Sequence, residues 1–480
     1  MFTFIFGLVI LFLGYLFYSK YVEKNFEPTN DKTPAYSMRD DIDFLPLNLR
    51  QNELIQLLNI AGIGPLMGAV QGILFGPIAF LLIPIGCILM GGVHDYFSGM
   101  ISLKNSGAQI TELSKKYLGK NCYLFFGLMT SILLLLVTAV FVYTSGDLIA
   151  EKFFKVSDFS LSNPTIVITY IVIALYFILA TLFPIDKIIG KIYPYFGALL
   201  LIGTLLIFIG FFIHGIELAE FSFSQLNHHP NKHAIIPIFF MTVSCGMLSG
   251  FHATQSTIIS RTVENEHQGR KIFYGMMCVE CLISMIWAAG AMSVYSMGIV
   301  PEYFVGKANV LNIIADKFLP HYLTYLITIA IVILPITSGD TALRSLRLLI
   351  SEVFNKFQNG VKKSLAIMIP ITVLLAAILI FAKMNNEAFF IIWRYFTFAN
   401  ELIALIVFMI SSVYLFAKGK NYFITLIPAI FCMFISYVFI LNAKIGFNLS
   451  LANSKTIAII LTVVTTIWLI LKMKNFKKQN

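Results

Sequence analysis

Seven polar side chains lie within long apolar runs of the sequence, where an ionisable or hydroxyl group is costly and is first considered functional. They are His94, Asp95, Glu280, Thr337, Ser338, Asp340 and Glu401. Imidazole and carboxyl groups take up and release protons, and hydroxyl and carboxylate oxygens suit hard cations such as Na⁺. The sequence therefore predicts that these residues exchange a proton or bind a small cation.

A structural role is the alternative for several of these residues. His94 and Asp95 lie toward one end of their apolar run and could cap or pair there. Glu280, near the middle of its run, is the leading proton carrier because burial favours a protonated carboxyl, although a hydrogen bond to a neighbouring helix is the alternative. Asp340 precedes Arg344 by four residues, a spacing that also permits an ion pair on one helix face.

Two apolar runs contain glycines, and the first also a proline, where a continuous helix is expected. They read "LLNIAGIGPLMGAVQG" and "FMTVSCGMLSGFHATQS". In a bilayer an unpaired backbone group costs several kcal/mol, so an unwound stretch requires protein, water or a solute beside it. These runs predict a binding cavity lined by Gly62, Gly64, Pro65, Gln71, Gly246, Gly250, His252 and Gln255. The alternative is that the glycines only permit close helix packing.

Arg394, in "WRYFTFANELIAL", is predicted as a weaker contact for an anionic solute, because a guanidinium binds a carboxylate in bidentate fashion. Its side chain could instead extend toward the membrane surface or pair with a carboxylate of another helix.

The composition identifies an all-α polytopic membrane protein. The chain has 480 residues, of which 58% are hydrophobic and 12% charged, and its mean hydropathy is +0.84. The net charge of +10 arises from Lys and Arg in short loops between apolar runs, so no nucleic-acid partner is predicted. No cofactor or metal site is predicted either. The six cysteines lie mostly in apolar runs, and the histidine-rich outer loop around His228 lacks the ligands that would complete a metal site.

About thirteen apolar runs are long enough to span a lipid bilayer. With the N-terminus outside and the C-terminus in the cytoplasm, most of the 34 Lys and Arg fall on the cytoplasmic side. Residues 1–50 then form an accessory first helix and a cytoplasmic loop, and residues 51–215 a five-helix repeat. A second, inverted five-helix repeat follows at 234–417, and 418–480 form two C-terminal helices and a basic tail. In this inverted arrangement the two discontinuous helices meet at the bilayer midplane.

Several of these stretches together resemble the carbon starvation protein A family. The matching pieces are "TPAYSMRDDIDFLPLN", "AGIGP", "GGVHDYFSG", "SGFHATQSTIISRTVENEHQGRKIFYGMM", "ITSGDTALRS" and "WRYFTFAN". The resemblance implies a bacterial inner-membrane transporter with the inverted five-plus-five fold of the amino acid, polyamine and organocation superfamily. It also implies uptake of peptides or pyruvate when preferred carbon is scarce. The chain differs from the family pattern at Glu401, where Gln is expected.

The sequence therefore predicts a secondary active importer of a small carboxylate-bearing nutrient, coupled to H⁺ or Na⁺. A peptide and pyruvate remain equal candidates for the solute. A passive channel is the alternative, followed by a membrane-embedded sensor or enzyme. The chain has no HExxH motif, no phosphate-binding loop and no Gly-x-Ser-x-Gly elbow, so no enzyme activity is predicted.

Overall fold

The structure is a computed structural model that describes residues 1–40, 44–182, 186–223, 228–299, 309–353, 361–384, 386–444 and 446–479. These residues form helices and loops, and their one strand-type pairing is an isolated bridge between Leu47 and Val263. The helices are α1 Phe2–Phe26, α2 Leu49–Ile60, α3 Ile63–Phe75, α4 Ala79–Lys104, α5 Ile110–Leu118, α6 Lys120–Phe154, α7 Pro164–Leu182, α8 Asp186–Ile213, α9 Phe240–Met247, α10 Gly250–Ile259, α11 Glu266–Ser296, α12 Asn309–Phe318, α13 His321–Val353, α14 Val361–Met384, α15 Asn386–Ala417, α16 Phe423–Asn442 and α17 Leu451–Gln479.

The helices confirm the predicted polytopic membrane class. Ten of these helices are each long and apolar enough to cross a bilayer, and the stretch Ile235–Ile259, which contains α9 and α10, is the eleventh span among the described residues. The bent pair α2 and α3 makes a twelfth. The remaining predicted span, at 188–213, corresponds to α8, whose apolar part Gly197–Ile213 is shorter than the others. The total of thirteen spans thus stays a prediction.

The first predicted break lies between α2 and α3. Asn48 begins α2 with a reciprocal capping box, in which its side chain and that of Gln51 each accept from the other's backbone N–H. The helix ends before Ala61 (φ −75°, ψ 64°) and Gly62 (φ −93°, ψ −168°), which leave helical geometry, and α3 departs at an angle of 57°. Pro65 lies in the first turn of α3, where a proline is tolerated because N–H groups of the first turn have no hydrogen-bond partner within the helix.

The second break lies between α9 and α10. Leu248 (φ −160°, ψ 121°) and Ser249 (φ −131°, ψ 118°) are extended between the two helices. Gly246 therefore lies in the last turn of α9, and Gly250 is the first residue of α10. Both discontinuous helices are confirmed, although each break falls a residue or two away from some of the glycines that indicated it.

The two broken helices pack side by side, with α3 against α9 and α2 against α10. Because α3 follows α2 and α10 follows α9, this pairing makes the two broken helices antiparallel. A Cβ atom added to Gly246 would lie 3.0 Å from the Pro65 carbonyl oxygen, and one added to Gly68 would lie 2.9 Å from that of Thr242. Glycines therefore serve close packing here as well as interrupting the helices.

Candidate functional site

A small cavity lies between the two breaks, and we call it the central cavity. Its volume is about 10 Å³, which is room for about one water molecule. The breaks contribute Gly62, Gly64, Pro65, Ser249 and His252 to its lining, among others. Of the nine residues predicted to bind the solute, Arg394 included, the lining contains four, Gly62, Gly64, Pro65 and His252.

Long helices close the central cavity on its other sides. Phe141 of α6, Phe251 of α10 and Phe396 of α15 form an aromatic wall, and Ser338 of α13 also lines it. The Ser338 side chain is buried, and its hydroxyl has no hydrogen-bond partner among the described residues. No lysine or arginine is among the lining residues, and His252 is their one titratable side chain apart from a buried cysteine.

Four ionisable residues from three helices form a buried chain beside the central cavity. The Nδ1 atom of His94 lies 2.7 Å from Oδ1 of Asp95, and Nδ1 of His252 lies 3.0 Å from the other oxygen, Oδ2. On its opposite side the His252 ring places Nε2 at 3.6 Å from Oε1 of Glu280. We call these residues the histidine–carboxylate chain. It brings together four of the residues that the sequence selected one at a time.

Glu280 is the member of this chain that makes no hydrogen bond with the described residues. Its side chain is buried, and neither carboxyl oxygen has a hydrogen-bond partner among the described residues. A buried carboxyl group without hydrogen bonds is costly and is first considered functional. The His252 ring lies between this carboxyl group and Asp95, and an imidazole can pass a proton from one of its nitrogen atoms to the other.

Asn400 of α15 fixes the start of α10, a role that the sequence reasoning missed. Its Oδ1 accepts a hydrogen bond from the backbone N–H of Phe251 at 2.9 Å and another from the Ser249 hydroxyl at 3.1 Å. These bonds satisfy groups exposed by the break, one residue before His252. The available signal was an uncharged amide within an apolar run, whereas the prediction relied on ionisable groups.

A second buried ion pair was also missed. Lys383 of α14 places Nζ at 2.9 Å from both carboxylate oxygens of Asp147 on α6, and the Tyr170 hydroxyl donates to the same carboxylate at 2.6 Å. The Lys383 ammonium also lies 4.3 Å from the ring centroid of Tyr143. Asp147 is at the end of a predicted span and Lys383 beyond another, so neither appeared buried from sequence alone.

The region around Asp340 lies on α13, one turn or less from the central cavity. Asp340 accepts a hydrogen bond from the Tyr176 hydroxyl at 2.8 Å, and Arg344 donates to the Ala180 carbonyl at 2.8 Å. The side chain of Thr337 lies outside the described part of the chain. The cation-coupling role of Asp340 and its pairing with Arg344 both stay predictions.

The remaining predicted site residues lie apart from the cavity lining. Glu401 is buried on α15, close to the Cys432 thiol of α16. Arg394, by contrast, is exposed and near His233. Gln71 is buried on α3, and the Gln255 amide donates to the neighbouring Thr254 hydroxyl at 3.0 Å. Their proposed roles stay predictions.

The histidine-rich loop around His229, which the sequence predicts to lie outside, packs against the first broken helix. The His229 ring lies 4.6 Å from that of Phe75, at the end of α3, and equally far from the His233 ring. Burial, together with the positive charge of neighbouring His233, lowers the pKa of His229 to about 4. Among the described residues, no group of three or more His, Cys, Asp or Glu side chains is placed to hold a metal ion.

Comparison with known sequences identifies a family across most of the chain. The profile of the family described as Carbon starvation protein CstA matches residues 1–145, 142–298 and 289–438. An uncharacterized membrane protein of Haemophilus influenzae is 38% identical over 344 residues, covering 62% of this chain and 91% of that protein.

Two relatives have names that state a transported solute. The peptide transporter CstA of Mycobacterium tuberculosis is 26% identical over 340 residues, covering 57% of this chain and 44% of the relative. The pyruvate/proton symporter BtsT of Escherichia coli is 25% identical over 349 residues, covering 60% and 48%. The chain spans less than half the length of these two relatives, which are transporters rather than enzymes.

Among solved structures, a manganese transporter from Eremococcus coleocola is similar in fold. It superimposes with a TM-score of 0.56 over 89% of this chain and 95% of its own, at 13% sequence identity. At that identity the similarity concerns the fold alone, and it is the fold of a membrane transporter.

Proposed function

The chain belongs to the carbon starvation protein CstA family, and from this membership we propose that it is a secondary active importer. The proposed solute is a small carboxylate-bearing nutrient, a peptide or pyruvate, as the names of two relatives suggest. The coupling ion is a proton, and the location is the bacterial inner membrane with the N-terminus outside. The role is nutrient uptake under carbon starvation.

The observation that carries this proposal is the histidine–carboxylate chain beside the central cavity. Two imidazoles and two carboxyl groups in contact can pass a proton along a line of about four sites, since each group both accepts and releases one. His252 belongs to the cavity lining and to the chain at once. A solute in the cavity therefore lies next to the group that would sense its charge.

The lining of the central cavity suits the carboxylate end of a small solute. The first turns of α3 and α10 both line it, and the N-terminal end of a helix carries partial positive charge that attracts anions. Ser338 adds a buried hydroxyl with no partner among the described residues. An apolar remainder of the solute would lie against the aromatic wall of Phe141, Phe251 and Phe396.

Transport would follow from movement of one half of the fold against the other. In the proposed five-plus-five arrangement, residues 51–215 and 234–417 form repeats of opposite orientation whose broken helices meet at the solute site. A central cavity with room for about one water must widen to admit pyruvate or a peptide. Rocking of the repeats would open it to one side at a time.

Uptake into vesicles tests the proposal. Purified protein in liposomes is given labelled pyruvate or labelled alanyl-alanine, with and without a pH gradient that is acidic outside. We expect one of the two to accumulate above its external concentration only when the gradient is present, and a protonophore to abolish the accumulation. Equal fluxes with and without the gradient would identify a passive channel instead.

A further inference from the structure

A second cavity lies at the end of the molecule that the loop charges predict to be outside. Its volume is about 300 Å³, the lower limit of sizes typical of small-molecule sites. The C-terminal end of α6, the helix α12 and the first turns of α13 form its walls. We call it the outer cavity.

Acidic side chains of the outer cavity already have partners. Oδ1 of Asp316 lies 2.6 Å from Nζ of Lys152, and Oε2 of Glu151 accepts a hydrogen bond from the Asn312 amide at 2.9 Å. These contacts hold α12 against α6. Lys155 also lines this cavity, and its ammonium group has no carboxylate partner among the described residues.

Lys155 and Tyr325 form the part of the outer cavity suited to an anion. The Lys155 ammonium donates to the Tyr325 hydroxyl at 3.2 Å and lies 5.4 Å from the centroid of its ring. The buried ammonium of Lys152 lies 5.0 Å from the same centroid, so two positive charges share one aromatic ring. The Tyr325 hydroxyl hydrogen has no acceptor among the described residues. A carboxylate could thus accept from both an ammonium and a phenol.

The outer cavity and the central cavity lie along the same pair of helices. The pair α6 and α13 lines the central cavity through Phe141 and Ser338, and the outer cavity through Lys152 and Tyr325. At a rise of 1.5 Å per residue, Lys152 lies about 16 Å beyond Phe141, and Tyr325 about 20 Å from Ser338. These distances are a little more than half of the roughly 30 Å hydrocarbon core. The outer cavity is therefore where a solute from outside first meets this helix pair.

We propose that the outer cavity is a waiting site for the carboxylate group of the transported solute, with Lys155 and Tyr325 as its ligands. The site rests on the proposed importer function and on the orientation with the N-terminus outside. Such a site would supply the positive charge that the central cavity lacks, because the described lining of that cavity contains no lysine or arginine to attract an anion from water. A cation near the entrance raises the local concentration of anions and their rate of encounter.

Uptake kinetics of two variants and one control test the waiting site. Lys155→Gln removes the charge, and Tyr325→Phe removes the hydroxyl while keeping the ring. Lys455→Gln, on α17 at the predicted outer surface, is the matched control. For labelled pyruvate we expect Lys155→Gln to raise the half-saturating concentration about fivefold, the effect of losing one charge contact in water. The maximal rate should stay within about twofold of the wild-type rate, because the histidine–carboxylate chain, which includes Glu280, is unchanged in this variant.

Ionic strength and solute identity sharpen the test. The difference between wild type and Lys155→Gln should shrink in about 0.5 M salt, where charges are screened within a few ångströms. The same experiment with alanyl-alanine covers the second candidate solute. An unchanged half-saturating concentration in both variants, with the wild type active, would overturn the waiting site and leave the importer function standing.

Failure of the importer function gives a separate result, in which the wild type takes up neither solute. Equilibrium binding of pyruvate to the purified protein then decides the fate of the outer cavity. Weaker binding by Lys155→Gln than by Lys455→Gln would support the site, and equal binding by both would overturn it.

Discussion

The substitution Glu280→Gln tests the coupling mechanism most directly. Glutamine has nearly the shape of a protonated glutamate but cannot release a proton. The Glu280 carboxyl makes no hydrogen bond with the described residues, so the change breaks no hydrogen bond with them. The variant should therefore insert and fold.

The size of the expected effect follows from the proton gradient. A gradient of one pH unit stores about 1.4 kcal/mol per proton, which supports about a tenfold accumulation of solute if one proton accompanies each molecule. Without a proton site at Glu280 the accumulation ratio should fall from about ten to about one. Exchange of labelled for unlabelled solute across the membrane needs no net proton movement and should persist.

The assay compares Glu280→Gln with wild type and with Glu112→Gln in the same liposomes. Glu112 lies exposed on the short amphipathic helix α5, far along the chain from the cavity lining, and serves as the control for removing one carboxylate. Accumulation near the wild-type ratio in Glu280→Gln would refute the reasoning, because another group would then carry the proton. Loss of exchange together with accumulation would instead indicate damage to the solute site.

Four further substitutions probe the surrounding structure. Asp95→Asn, which removes the carboxylate between the two histidines, should also abolish accumulation and shift the pH dependence of uptake, both measured in liposomes. Asn400→Ala removes two hydrogen bonds at the start of α10 and should destabilise the protein by about 1–3 kcal/mol, seen as a lower thermal midpoint in detergent. Lys383→Met leaves the buried Asp147 carboxylate without its cation and should cost about 3–5 kcal/mol in the same measurement, whereas a midpoint within a degree of wild type would show that the pair contributes little. The lowered pKa of His229 means that protonation of this ring is less favourable in the folded than in the unfolded protein. The stability of the protein is therefore full above about pH 6.5 and declines as pH falls toward 4. His229→Gln should make the thermal midpoint depend less on pH over that window.

The sequence was sufficient for those parts of the fold that depend on local composition. Apolar runs predicted the helices. Glycines predicted both breaks, with a proline beside them in the first, because helix interruption is a property of a few neighbouring residues. The exact break residues differed, since Gly246 completes the last turn of α9 and the extended residues are Leu248 and Ser249. Close approach to a neighbouring helix, which no local pattern reports, explains the glycine at 246.

The sequence could select the members of the histidine–carboxylate chain but could not connect them. His94 and Asp95 come from one helix, His252 from a second and Glu280 from a third, so their contacts depend on how three helices rotate about their axes. The same uncertainty of rotation left two positions open for the Arg394 side chain, and in the structure it is exposed. An intramembrane charge indicates function only once the direction of its side chain is known.

The narrowness of the central cavity has a consequence for energy conservation. A symporter dissipates the proton gradient if it changes from its outward-open to its inward-open form with only the proton or only the nutrient bound. The present form can enclose little more than a water molecule, so in the proposed importer it would be the form that returns empty, with the start of α10 held by the Asn400 bonds. Such a tight return conformation would exclude the nutrient by volume alone, so the nutrient could not cross in this form without the proton.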